Sequence, residues 1–156
     1  MNREWFRGNM RRRHRDLFDR VQKHTGMYVG EESYAVVVAF VIGYDEACEG
    51  GLLAGFREWL VMRVGSGNNL GFPALVLHIA FPQAKSTAAA LAVDQEAHRH
   101  AIDTLFALLA EFDDERAAYD GLRRIHAAYE KWVEKHELSG PPPGPDKPRR
   151  RRRPVR

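Results

Sequence analysis

The sequence holds one cysteine, Cys48, which excludes an intramolecular disulfide and any cysteine-based metal knuckle. A chain without disulfides suits a reducing compartment. Long hydrophobic runs are also missing. The apolar stretch Phe72–Phe81 covers ten positions, about half of the ~20 that a membrane span needs. Arginines crowd the N-terminus, but no apolar segment of about 7–15 residues follows them, so they do not read as a secretory signal. The expected location is the cytoplasm, with no membrane contact. Lysine is scarce, 5 residues against 19 arginines. A bias toward arginine codons therefore accounts for part of the basic clusters as readily as a function does.

The assembled signatures of catalysis are absent as well. No H-E-x-x-H is present, nor the repeated Glu-x-x-His of carboxylate-bridged di-iron bundles. Glu96, His100 and Asp103 share a helical face by spacing, but a solvated polar face explains them without a metal. Gly65-Ser66-Gly67-Asn68-Asn69-Leu70-Gly71 has its third glycine one residue late for a dinucleotide fingerprint and follows a helical pattern, so it reads as a loop. His78 is expected to be a hydrogen-bonded core histidine, and Cys48 a small buried hydrophobe. No nucleophile–base pair can be put together. The expectation is a non-enzymatic protein with no cofactor and no metal.

What is present is material for one domain. The chain has 156 residues, 44% of them hydrophobic, enough for a real core. Its net charge of +3 conceals an uneven layout. Residues 1–15 carry +5 and residues 141–156 carry +6, leaving −8 on residues 16–140. The expected organisation is a basic N-terminal arm over 1–15, a helical domain over 16–138, and a Pro/Arg-rich tail over 139–156 without the apolar content to fold.

Periodicity makes the domain all-α. Leu17, Phe18 and Val21 predict a short helix from Asp16 to His24, ended by Thr25-Gly26. Met27-Tyr28-Val29-Gly30 reads as an extended connector whose apolar side chains must pack. Tyr34, Val37, Val38, Val41, Tyr44 and Cys48 recur at helical spacing, although the β-branched residues over 35–42 keep a strand as the alternative. Leu52, Phe56, Trp59 and Leu60 predict an amphipathic helix. Pro73 suits the first turn of a helix ending at Phe81, apolar on nearly all sides and therefore central.

Gln83 to Ala92 is weakly patterned. Asp94 is a good N-cap for a helix over 95–113, with Ala101, Leu105, Leu108, Leu109 and Phe112 as its stripe. A last helix is expected from Glu115 to about His136 on Ala118, Leu122, Ile125, Tyr129 and Trp132, closing a C-terminal helical hairpin. The sum is about five helices with disordered basic termini. The predicted core is Phe56, Trp59, Leu60, Leu105, Leu109, Leu122 and Ile125.

Two resemblances bear on function. Met27-Tyr28-Val29-Gly30, with Asp45-Glu46-Ala47 and Gly50, resembles the start of the ATPase domain of the DNA gyrase B subunit family. That family's catalytic Glu and Mg²⁺-binding Asn would fall on Val38 and Ile42, which can do neither job. Its Asp-x-Gly-x-Gly loop is missing, so ATPase activity is excluded. Met27-Tyr28-Val29-Gly30, Gly43-Tyr44, and Leu52-Leu53 with Phe56 and Trp59 are similar to a group of small bacterial helical proteins of unassigned function. Some of these look like immunity proteins of contact-dependent toxin systems. The resemblance implies a protein partner and no active site.

Two sets of residues are candidates for binding. Asp113, Asp114 and Glu115 with Asp120, and Asp45, Glu46 and Glu49, concentrate carboxylates at expected helix ends, where a basic protein could be engaged. The alternative is sequence-independent contact with nucleic acid through Arg11, Arg12 and Arg13 and through Arg149, Arg150, Arg151, Arg152 and Arg153.

Overall fold

A computed structural model of the chain describes residues 3–137, with side chains over residues 11–136. The expected tail over 139–156 lies outside the described residues, as do its five consecutive arginines. Among the described residues there are eight helices and no strand. They are α1 (Arg3–Lys23), α2 (Thr25–Val29), α3 (Tyr34–Ala47) and α4 (Phe56–Val64), then α5 (Phe72–Ala80), α6 (Thr87–Leu91), α7 (Gln95–Ala117) and α8 (Gly121–Glu137). The all-α expectation holds, and the strand alternative over 35–42 falls inside α3. Eight helices replace the expected total of about five. Two of the additions are one-turn helices, α2 in a stretch expected to be an extended connector and α6 in one expected to be a loop or a frayed helix start. Separately, α1 is much longer than expected.

The 23-residue α7 is the axis of the fold and packs against α1, α3, α4, α5, α6 and α8. Asp94 caps it, its carboxylate accepting the Ala97 N–H at 2.8 Å. The stripe Ala101, Leu105, Leu108, Leu109 and Phe112 is buried along its length. Around its C-terminal half lies an aromatic heart. Phe56, with no exposed surface, meets Phe112 at 5.2 Å between ring centroids, Phe72 at 5.7 Å and Trp59 at 6.1 Å. The Trp59 indole N–H donates to Glu115 at 2.7 Å, so the one polar atom of that side chain has a partner. Six of the seven expected core residues are buried. Leu122 is half-buried, at the point where α8 approaches Gly55 so closely that a Cβ there would lie 2.7 Å from its Cδ1.

The basic arm expected to lack structure is helical from Arg3 onward. Its periodicity is carried by polar and apolar side chains together: Arg11, His14, Arg15, Phe18, Gln22 and Thr25 follow one another at steps of one, three or four. Partners along α7 run in the opposite order. Gln22 bonds Asp103, Arg15 reaches Ala110, and Arg11 reaches Asp113 and Asp114. The two helices are therefore antiparallel and in register over about three turns.

Met27-Tyr28-Val29-Gly30 is a helical turn rather than an extended connector. Gly30 ends it in the left-handed conformation at φ 78°. Met27 and Tyr28 are exposed, contrary to the expectation that they pack. The hairpin corner also moves. Asp and Glu at 113–115 look like a break because aspartate is a poor helix former, yet α7 continues through them to Ala117 and turns at Ala118–Asp120. Ala118 is exposed at the cap and not part of the α8 stripe. Gly121 sits against the Glu115 and Arg116 carbonyls with no room for a Cβ, which fixes how tightly the chain can turn. No helix among the described residues is long and apolar enough to cross a membrane.

Candidate functional site

The carboxylates expected to meet a partner divide into two classes. Asp113 accepts from Arg11 Nε at 2.6 Å and Arg15 Nε at 3.0 Å, with Arg116 at 3.4 Å. Asp114 accepts from Arg11 and Arg15 at 2.6 and 2.5 Å. The hydrogen bond from Arg15 holds the Asp114 carboxyl below its ordinary value. Glu115 accepts the Trp59 N–H. Asp45 accepts the backbone N–H groups of Leu52 and Leu53 at 2.8 and 3.0 Å. These four side chains therefore serve the fold. The arginines that neutralise Asp113 and Asp114 come from the segment expected to be a free basic arm, about a hundred residues away in sequence.

Glu46, Glu49 and Asp120 are different. All three are exposed, and none forms an ion pair or hydrogen bond with another side chain among the described residues. Glu49 and Asp120 are also the two non-glycine residues there with positive φ, 61° and 53°. Of the basic candidates, Arg11 is committed to α7, whereas Arg12 and Arg13 are exposed and form no ion pair among the described residues.

A cavity of about 170 Å³ opens between α1 and α7, which no single sequence motif signals. Its floor is Phe18, Phe106, Phe112, Leu52 and Leu109, and its mouth is formed by His14, Arg15, Asp19, Gln22 and Asp113. Ala107 and Ala110 line it from α7. The His14 Nδ1 lies 2.8 Å from the Tyr44 hydroxyl. Burial pushes the His14 imidazole below its usual pKa, opposed by the nearby Asp113 and reinforced by Arg116. Burial also pushes the Tyr44 phenol upward, with Cys48 adding to the rise. The periodic signal for this cavity exists in Arg15, Phe18, Asp19 and Gln22, but it needs the partner helix to be recognised.

The remaining candidates are placed plainly. His78 is exposed and not a core histidine, because α5 turns only Leu75, Val76 and Ala80 fully inward. Cys48 is half-buried rather than buried. His100 Nε2 lies 2.9 Å from the Ala80 carbonyl, and Asp103 takes the Gln22 amide. Among the described residues no group of three or more His, Cys, Asp or Glu could hold a metal ion. The loop after α4 is pinned by Arg57, which donates to the Leu70 and Asn68 carbonyls. No family model, curated protein or solved structure matches this chain.

Proposed function

We propose that the chain is a non-enzymatic protein-interaction module of the immunity or antitoxin kind, taking a basic protein partner on the acidic body through Glu46, Glu49 and Asp120. One observation carries this reading. Glu46 and Glu49 stand at the C-terminal end of α3, where the helix dipole disfavours negative charge, and Glu49 adds a left-handed backbone. No ion pair among the described residues offsets either cost. Charges kept at a local cost to folding are expected where a partner uses them. The similarity of the Met27–Gly30, Gly43-Tyr44 and Phe56/Trp59 pattern to immunity-like bacterial proteins points the same way. Asp113, Asp114, Glu115 and Asp45 leave the binding surface in this reading, since each already has a partner inside the protein.

The test is affinity capture of the full chain from its host, followed by association kinetics with the captured protein. Reversal of Glu46 and Glu49 to lysine is expected to slow association by about 10–100-fold at low salt and little at high salt. Equal rates for the two chains at low salt would discard this face. The second reading, non-specific contact with nucleic acid, is favoured by Arg12 and Arg13, which are exposed and form no ion pair among the described residues. It requires binding that is independent of sequence and collapses with moderate salt.

A further inference from the structure

We propose that the cavity between α1 and α7 is a binding site for a small organic cation, an aromatic ring carrying a short alkylammonium arm. The site is separate from the acidic surface above: neither Glu46, Glu49 nor Asp120 lines it.

The size argues for one ring. At about 170 Å³ the space is close to that of apolar cavities of about 150 Å³ that take up benzene. Its floor presents three phenylalanine rings, Phe18, Phe106 and Phe112, with Phe18 and Phe106 tilted together at 5.5 Å between centroids. Aromatic rings at such a floor favour edge or offset contact with a further ring, and their faces attract positive charge. Between the α7 side chains Phe106, Leu109 and Phe112, the small Ala107 and Ala110 leave room in the lining.

The mouth decides the sign of charge. Arg11, Arg15 and Arg116 surround Asp113 and Asp114, so both of these carboxylates already have partners. Burial depresses the basicity of the His14 imidazole at the same mouth. Asp19 remains, the one carboxylate of the mouth with no ion pair or hydrogen bond among the described residues. Gln22 stands one turn further along the same face of α1. Its amide nitrogen is committed to Asp103 at 2.7 Å, which leaves its carbonyl oxygen as an acceptor. An ammonium brings three N–H donors and no acceptor, matching a carboxylate and an amide oxygen. A carboxylate ligand would face Asp19 with like charge.

The experiment titrates the full chain with phenethylamine, toluene and phenylacetate, read by amide chemical-shift changes and by thermal shift. Phenethylamine is expected to bind with a dissociation constant of about 0.1–1 mM, as suits so few heavy atoms, with shifts confined to α1, α7 and Leu52. Toluene should bind more weakly at the same residues and phenylacetate not at all. Asp19→Asn, on an exposed position that leaves the fold alone, should weaken the amine about tenfold and leave toluene unchanged. Ala107→Leu should remove both ligands while the far-ultraviolet spectrum stays helical. Phenylacetate binding as tightly as the amine, amine affinity surviving Asp19→Asn, or no shifts at ~10 mM amine would each overturn the assignment.

Discussion

Helix α7 has two seams, and they are held together differently. Toward α4 and α5 its Phe112 meets Phe56 and Trp59, with Phe72 packed on Phe56, in an aromatic cluster. Toward α1 it meets Arg11, His14, Arg15 and Gln22, with an open cavity between the polar contacts. The first seam draws its stability from apolar area removed from water. The second depends on ion pairs whose arginines are about a third or more exposed, at 33% and 40%, and such pairs contribute modestly and weaken with salt. One helix thus carries an aromatic face and a mixed face, where Phe18 against Phe106 shares the contact with partly exposed ion pairs.

The contrast breaks most visibly at the aromatic seam. Phe56→Ala and Trp59→Ala are each expected to destabilise the protein by about 3–5 kcal/mol, with little dependence on salt. Urea unfolding at two ionic strengths measures both points, and an unchanged midpoint for Trp59→Ala would remove it from the core. At the polar seam, Asp113→Asn keeps the shape and removes the charge shared by three arginines. The expected loss is about 1–2 kcal/mol, discounted for the exposure of the guanidiniums, and it should shrink at high salt in the same titration.

His14 sharpens the comparison further, through pH. Its folded-state pKa lies below the ordinary value of 6.5, with burial as the main cause. The unfolded chain therefore takes up the proton first as pH falls. The stability that the neutral ring supports is complete above about 6.5 and is lost as pH drops through that value toward the folded pKa. His14→Gln should flatten the stability curve as pH falls through about 6.5 and below, relative to the unchanged chain. The smallest effect is expected at Arg63 and Glu111. They pair at 2.5 Å but are exposed, so Glu111→Ala should cost less than about 0.5 kcal/mol by thermal unfolding.

The two seams also differ in how far the sequence reveals them. The apolar stripe of α7, its Asp94 cap and the proline-led α5 follow from local pattern alone, because a hydrophobic period and a capping residue are local signals. The polar seam does not. A helix face written as Arg11, His14 and Arg15 looks like a free basic arm until the carboxylates a hundred residues later are set beside it. The same blindness put the hairpin corner at Asp113-Asp114 instead of Ala118–Asp120, since repulsion between neighbouring acids is offset by those distant arginines together with Arg116. Met27 and Tyr28 failed in the opposite sense. Their apolar character implied burial, but single exposed apolar residues are ordinary on a protein surface.

The segment joining α3 to α4 gives these contacts a mechanical meaning. Leu52 has no helical partner, yet its N–H is held by the Asp45 carboxylate and its carbonyl by Arg116 at 2.7 Å. Arg116 also holds the Gly51 carbonyl at 2.6 Å. The end of α3 and the end of α7 thus grip one peptide unit from opposite sides, like two hands on a short rope. The acidic end of α3, where Glu46 and Glu49 stand, is joined through that peptide to the last turn of α7. Amide exchange at Leu52 and Leu53 should accordingly be slow for residues outside any helix, and it should quicken when either hand lets go.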